Sequence, residues 1–95
     1  MNKKSRVGNM KTSSGKAAPN QFIITDQAGG RTFQSYNTVI AYKPPNGGGR
    51  VLLDREKWDC STTTGRYRNQ FLGETKAETA RKIEAGEYVL ADLNE

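Results

Sequence analysis

The chain has 95 residues, with 15 Lys and Arg against 10 Asp and Glu, one cysteine and no histidine. That length suits one small domain with a modest core. The missing histidines and the single cysteine exclude an intramolecular disulfide, Ser-His and Cys-His nucleophile pairs, and zinc sites of the usual Cys/His type.

The net charge of +5 sits in residues 1–20, where Lys3, Lys4, Arg6, Lys11 and Lys16 meet no Asp or Glu. This stretch has neither a 3.6-residue nor a 2-residue hydrophobic period, and its polarity cannot offset the entropy of ordering. It reads as a disordered basic tail, with Pro19 at the edge of a single small domain over residues 21–95. No apolar run approaches the ~18 residues that cross a bilayer, and no apolar stretch follows the first cations as a secretory signal requires. The sequence therefore reads as cytoplasmic, without membrane contact.

Phe22-Ile23-Ile24-Thr25 is a β-branched run. Asp26 to Gly30 carries turn chemistry, and Arg31 to Tyr36 alternates as a second strand, so the pair predicts a hairpin. Asn37 marks a bend, and Thr38 to Tyr42 resumes as a strand. Lys43 to Gly49 holds two prolines and three glycines and reads as a flexible hairpin tip. Arg50 to Asp54 is a further strand.

Helical signals follow. Ser61-Thr62-Thr63-Thr64 offers N-cap hydroxyls, Tyr67 and Phe71 stack at i, i+4, and Gly73 suits a C-cap. Thr75 and Glu78 fit a capping box, with Ala77, Ala80 and Ile83 on one face, a Glu78–Lys82 pair, and Gly86 as the stop. Tyr88 to Leu93 predicts a last strand. The fold class is α+β: a mainly antiparallel sheet of about four or five strands, with two short helices packed on one face.

Little catalytic equipment is left. Gly8 to Lys16 only superficially resembles a phosphate loop, because six residues separate its glycines where four are needed, and Ala17 replaces Ser or Thr. Asp54, Glu56 and Asp59 are interleaved with Arg55 and Lys57 and read as a solvated mixed-charge turn, with Asp59 favoured ahead of a helix start. Cys60 reads as a small, half-buried apolar residue. The chain is expected to be non-enzymatic and to need no cofactor or metal.

The densest pattern is Trp58 to Leu72. Ser61, Thr62 and Thr63 place hydroxyls and amide donors at a helix start beside Arg66 and Arg68, a set that can hold an anion or a partner's acidic group. The plainer reading is that the hydroxyls cap the helix while Trp58, Tyr67, Phe71 and Leu72 fill the core. Together with Phe33-Gln34-Ser35-Tyr36-Asn37-Thr38-Val39-Ile40-Ala41 and Leu53-Asp54, this stretch resembles a family of small accessory proteins of tailed bacteriophages and prophages. The resemblance covers roughly residues 22–93. It implies a phage protein acting in the host cytoplasm and carries no catalytic residues with it.

Two functions follow as expectations. The first is a regulatory binding protein that modulates or inhibits a host protein, using the Ser61 to Arg68 region. The alternative is a nucleic-acid-binding accessory protein that contacts phosphate through Lys3, Lys4, Arg6, Lys11 and Lys16 and stacks bases on exposed Tyr and Arg side chains.

Overall fold

The computed structural model describes residues 5–45 and 48–94. Lys3 and Lys4, two of the expected phosphate contacts, and Gly47 of the expected loop tip lie outside the described residues. The elements run β1 (Arg6–Lys11), β2 (Ala17–Thr25), β3 (Arg31–Ser35), β4 (Thr38–Lys43), β5 (Val51–Asp54), α1 (Thr62–Leu72), α2 (Lys76–Glu84) and β6 (Tyr88–Ala91). Six strands form one sheet in sequence order. All neighbours are antiparallel except β5 and β6, which run parallel. A parallel pair needs a crossover connection, and α1 and α2 supply it. The fold is α+β, with β6 at one edge and β1 at the other. Among the described residues no helix is long and apolar enough to cross a membrane.

The expectation of a disordered basic tail over residues 1–20 is overturned for its described part. Residues 6–11 form β1, and β2 runs straight through the supposed boundary at residue 20. The two strands join through a turn in which Thr12 N–H donates to the Lys16 carbonyl at 2.7 Å, with Gly15 at φ 86°. Met10 and Ala18 enter the core at 3 % and 0 % exposure. The Asn9 side-chain amide donates to the Ala18 carbonyl at 2.9 Å, and the Gln70 amide of α1 reaches the Lys11 carbonyl at 3.1 Å. Composition conceals this strand because β2 satisfies its backbone, and only Met10 of its six side chains is buried.

The sheet has two unlike faces. Phe33, Ala41 and Leu53 stand opposite one another across β3, β4 and β5, and all three are fully buried. Phe71 of α1 packs on this row, its ring centroid 5.8 Å from that of Phe33. Ile23 and Leu90 extend the row to either side, and Ile83 of α2 packs against the same core. Both helices therefore lie on this one face.

Helix ends follow local chemistry. The Ser61 hydroxyl accepts from Thr64 N–H at 3.1 Å, and Gly73 closes α1 at φ 72°. Thr75 and Glu78 complete a reciprocal capping box, at 2.8 Å and 3.2 Å. Ala85 is the C-cap of α2, and Gly86 follows it at φ 80°. The expected Glu78–Lys82 pair does not form. Glu78 is committed to the Thr75 amide, and Lys82 Nζ instead lies 2.7 Å from Glu74, whose side chain is 6 % exposed. A buried carboxylate gains more from a cation than an exposed one does. Ala77 is exposed, and Thr79 is the residue of α2 that is buried.

Candidate functional site

A cleft of about 680 Å³ opens at the N-terminal turn of α1, lined by Asp59, Cys60, Ser61, Thr62, Gly65, Arg66, Arg68, Asn69 and Lys76. Four of the five side chains singled out in the sequence come together here: Ser61, Thr62, Arg66 and Arg68. Thr63 is exposed and is not part of the lining. Ser61 spends its hydroxyl on the helix cap.

Arg66 and Arg68 play different parts. Arg68 is 1 % exposed and is the largest of the fully buried side chains. Its Nη1 donates to the Trp58 carbonyl at 2.7 Å and to Asp59 Oδ1 at 3.2 Å, and its Nη2 donates to Asn69 Oδ1 at 2.9 Å. Its guanidinium stacks on the Trp58 ring at 5.2 Å from the centroid. Gly65 leaves room one turn back: a Cβ there would sit 3.6 Å from Arg68 Nη2, in van der Waals contact. Arg68 thus ties the turn before α1 to the helix, which makes it a scaffold residue. Arg66 is exposed and forms no ion pair among the described residues.

Asp59 joins the site to α2. Its Oδ2 lies 2.7 Å from Lys76 Nζ while Oδ1 holds Arg68. The hydrogen bond from Lys76, helped by Arg68, holds its carboxyl below the ordinary range against the opposing effect of burial. Two exposed cations, Arg66 and Lys76, and the buried Arg68 surround one carboxylate here, beside a helix start whose first N–H groups have no acceptor within the helix. The arrangement favours an anionic group. Sequence reasoning missed Asp59 as the organising carboxylate and Lys76 as its second partner. Their separation in the chain hides the pairing.

The reading of Asp54, Glu56 and Asp59 as one solvated turn fails for Asp54, which is 5 % exposed. Asp54 accepts from the backbone N–H of Leu93 at 2.8 Å, Lys57 at 2.9 Å and Glu56 at 3.2 Å. Burial alone would raise its pKa. The bonds from Leu93, Asn94, Glu56 and Lys57 outweigh burial, and the net shift is downward. Cys60 is likewise not half-buried: its thiol is free and exposed at the cleft.

The other expected contact residues sit elsewhere. Arg6, Lys11 and Lys16 are exposed on the β1–β2 hairpin. Among the aromatic side chains, Trp58 is covered by Arg68 and Tyr42 donates to Asp26 at 3.2 Å. Tyr36 is 57 % exposed and occupies the β3–β4 turn at φ 56°, an uncommon conformation for a bulky residue.

No curated protein and no solved structure matches the chain. Residues 1–87 match the model of a family of unknown function, DUF8033. The match takes in the first hairpin and both helices and stops short of β6. On that coverage the chain belongs to DUF8033.

Proposed function

We propose that this chain is a non-enzymatic, phage-type regulatory binding protein that modulates or inhibits a host protein in the host cytoplasm. The cleft at the start of α1 supports this reading best. Arg66 and Lys76 are exposed there beside the single carboxylate of Asp59, and the buried Arg68 ties the turn before the helix to it. An acidic segment of a target protein suits that surface, because charge-assisted bonds to a positioned guanidinium are strong and directional. The phage element rests on the resemblance carried by residues 33–41, 53–54 and 58–72.

Capture from a bacterial lysate, with and without nuclease treatment, tests this. A host protein retained after nuclease and lost with Arg66→Glu supports the reading. Capture that needs nucleic acid, or that ignores Arg66→Glu, overturns it.

Nucleic-acid binding is a second reading, favoured by one observation. Arg6, Lys11 and Lys16 are all exposed on a hairpin that contains no acidic residue. Three phosphate contacts give a log–log salt slope of about −2.7 on duplex DNA. Arg6→Gln, Lys11→Gln and Lys16→Gln together should abolish that slope. Truncation at residue 20 is the wrong control, because it removes β1 and splits β2.

A further inference from the structure

The helices cover one face of the sheet and leave the other open. Asn9, Phe22, Gln34 and Val39 stand opposite one another across β1 to β4. Directly paired residues point to the same side of a sheet, and successive residues to opposite sides. Phe22 lies between Gln21, which is buried, and Ile23, which packs against the core, and Gln34 lies between the buried Phe33 and Ser35. This row therefore faces away from the helices. Phe22 is only half-buried and is not among the residues packed on the core. Tyr36 adjoins the row, because its N–H donates to the Asn20 carbonyl of β2 at 2.7 Å. It is 57 % exposed at φ 56°, and its ring joins no aromatic or cation–π pair among the described residues. A bulky residue rarely adopts that backbone region, and nothing in the packing of the fold asks for this ring there. Lys11 stands opposite Ala17 and Lys16 closes the turn between β1 and β2, so both lie at the same end of the sheet as Tyr36.

Charge is divided unevenly along the chain. Residues 1–53, which supply β1 to β4 and nearly all of β5, hold eight Lys and Arg and one acidic residue, Asp26. Residues 54–95, which supply both helices, hold seven against nine. Asp26 reaches the open side, where Tyr42 bonds it, but it lies four residues along the chain from Phe22, about 13 Å at the rise of an extended strand. Its carboxylate is spent on its own turn, accepting from Ala28 N–H at 3.0 Å, Gly30 N–H at 2.8 Å and the Tyr42 hydroxyl at 3.2 Å. An excess of one sign confined to the sheet-forming half suits a polyanion and opposes a second copy of the chain.

We propose that the strip from Tyr36 through Gln34, Phe22 and Asn9 to Lys11 and Lys16 binds single-stranded nucleic acid, with unpaired bases stacked on the two rings and backbone phosphates on the two lysines. This site rests on the nucleic-acid reading above and narrows it to unpaired strands. Every base has a flat π-face, and open sheets bearing aromatic side chains hold unpaired bases by stacking. A duplex keeps those faces inside its own stack and meets the strip with phosphate alone. An acidic peptide would use the lysines and leave the rings without a counterpart. The amides add acceptors for base edges. Asn9 Nδ2 is committed to the Ala18 carbonyl at 2.9 Å and Gln34 Nε2 to the Tyr36 carbonyl at 2.8 Å, which leaves the two side-chain oxygens to accept from base N–H groups.

Fluorescence anisotropy of the full chain with short oligo(dT), short oligo(U) and a mixed-sequence duplex tests it. Both single strands should bind about tenfold tighter than the duplex at equal salt. Phe22→Leu and Tyr36→Gly should each weaken oligo(dT) binding about tenfold and leave its salt slope unchanged, the signature of lost stacking. Lys11→Gln combined with Lys16→Gln should instead flatten that slope by about 1.4. Tyr36→Gly carries its own folding control, because glycine adopts positive φ without strain and the Tm should hold or rise. A duplex bound as tightly as the single strands, or wild-type affinity in both ring variants, overturns this site while the broader nucleic-acid reading stands. Polyglutamate that displaces oligo(dT) on equal terms, or no binding to any nucleic acid, overturns both.

Discussion

The first hairpin and the unit from β5 through α1 and α2 to β6 hold together by different means. The hairpin has few buried side chains. Met10, Ala18 and Gln21 are covered, and neither end of the Gln21 amide meets a partner among the described residues. Ladder bonds and register do most of the holding. The helical unit has caps at both helix starts, the Phe33–Phe71 contact beneath it, and two ion clusters each anchored on one buried charge, Arg68 with Asp59 and Lys76, and Glu74 with Lys82. In the second cluster Glu74 Oε2 also accepts from Thr79 at 2.6 Å, and Oε1 accepts from Tyr88 at 3.0 Å. A strand can be recruited by its neighbour without a hydrophobic signature of its own, whereas a helix that packs alone on a sheet must carry its own stabilising features.

Substitutions can break or sharpen that contrast. Phe33→Ala should be the most damaging, costing about 3–5 kcal/mol, since the ring is fully buried where the sheet meets α1. In a small domain stable by ~5–15 kcal/mol this approaches global unfolding, readable in urea. Arg68→Ala should cost about 2–3 kcal/mol, because it strips a buried partner from the Trp58 carbonyl and Asp59, while Lys76 still offsets part of the exposed carboxylate. Its signature should be loss of order between residues 58 and 62 with the sheet intact.

Met10→Ala should cost about 2 kcal/mol, at the low end for a buried methionine. Hydrogen exchange should report faster opening of residues 6–25 while α1 keeps its protection. A disordered segment would show no effect, so this measurement bears directly on the hairpin. Thr75→Ala removes half of the capping box and should cost about 1 kcal/mol, seen as fraying of α2 alone.

Acidification should act least near neutrality. Burial tends to raise Glu74, but Lys82, Thr79 and Tyr88 reverse this and hold it low. Asp54 and Asp59 are also lowered. A depressed carboxylate contributes stability above its unfolded value and loses it as pH falls through its folded value. The Tm should therefore be flat from pH 7 to pH 5, begin to fall near the ordinary values of 4.5 for glutamate and 3.8 for aspartate, and keep falling below them. Flat stability through pH 3 would refute the role given to these clusters.

Much of the sheet was legible because its signals are local. The Asp26 to Gly30 turn, the start of β4 at Thr38 and the strands that flank them follow from β-branched runs and turn residues. Ser61, Gly73 and the Thr75–Glu78 pair mark helix ends through contacts spanning four residues or fewer. The cleft was legible in part, since Ser61, Thr62, Arg66 and Arg68 lie within one short segment. The exposure of Arg66 and the burial of Arg68 were not, because two residues apart on a helix is a difference of face that depends on what the helix packs against. Lys76, on the other helix, had no local signal at all.

The amino-acid order by itself determined the element types from residue 21 onward, the capping of both helices and the α+β class, since each depends on residues within a turn or two of one another. Only the tertiary structure decided that residues 6–20 join the sheet, that β6 runs parallel to β5, and that Asp54 and Asp59 are anchors and not a loose turn. Those outcomes depend on backbone and charge partners well outside a single turn, 9 residues away from Arg68 to Asp59 and 39 from Leu93 to Asp54, and no pattern confined to one segment carries that information.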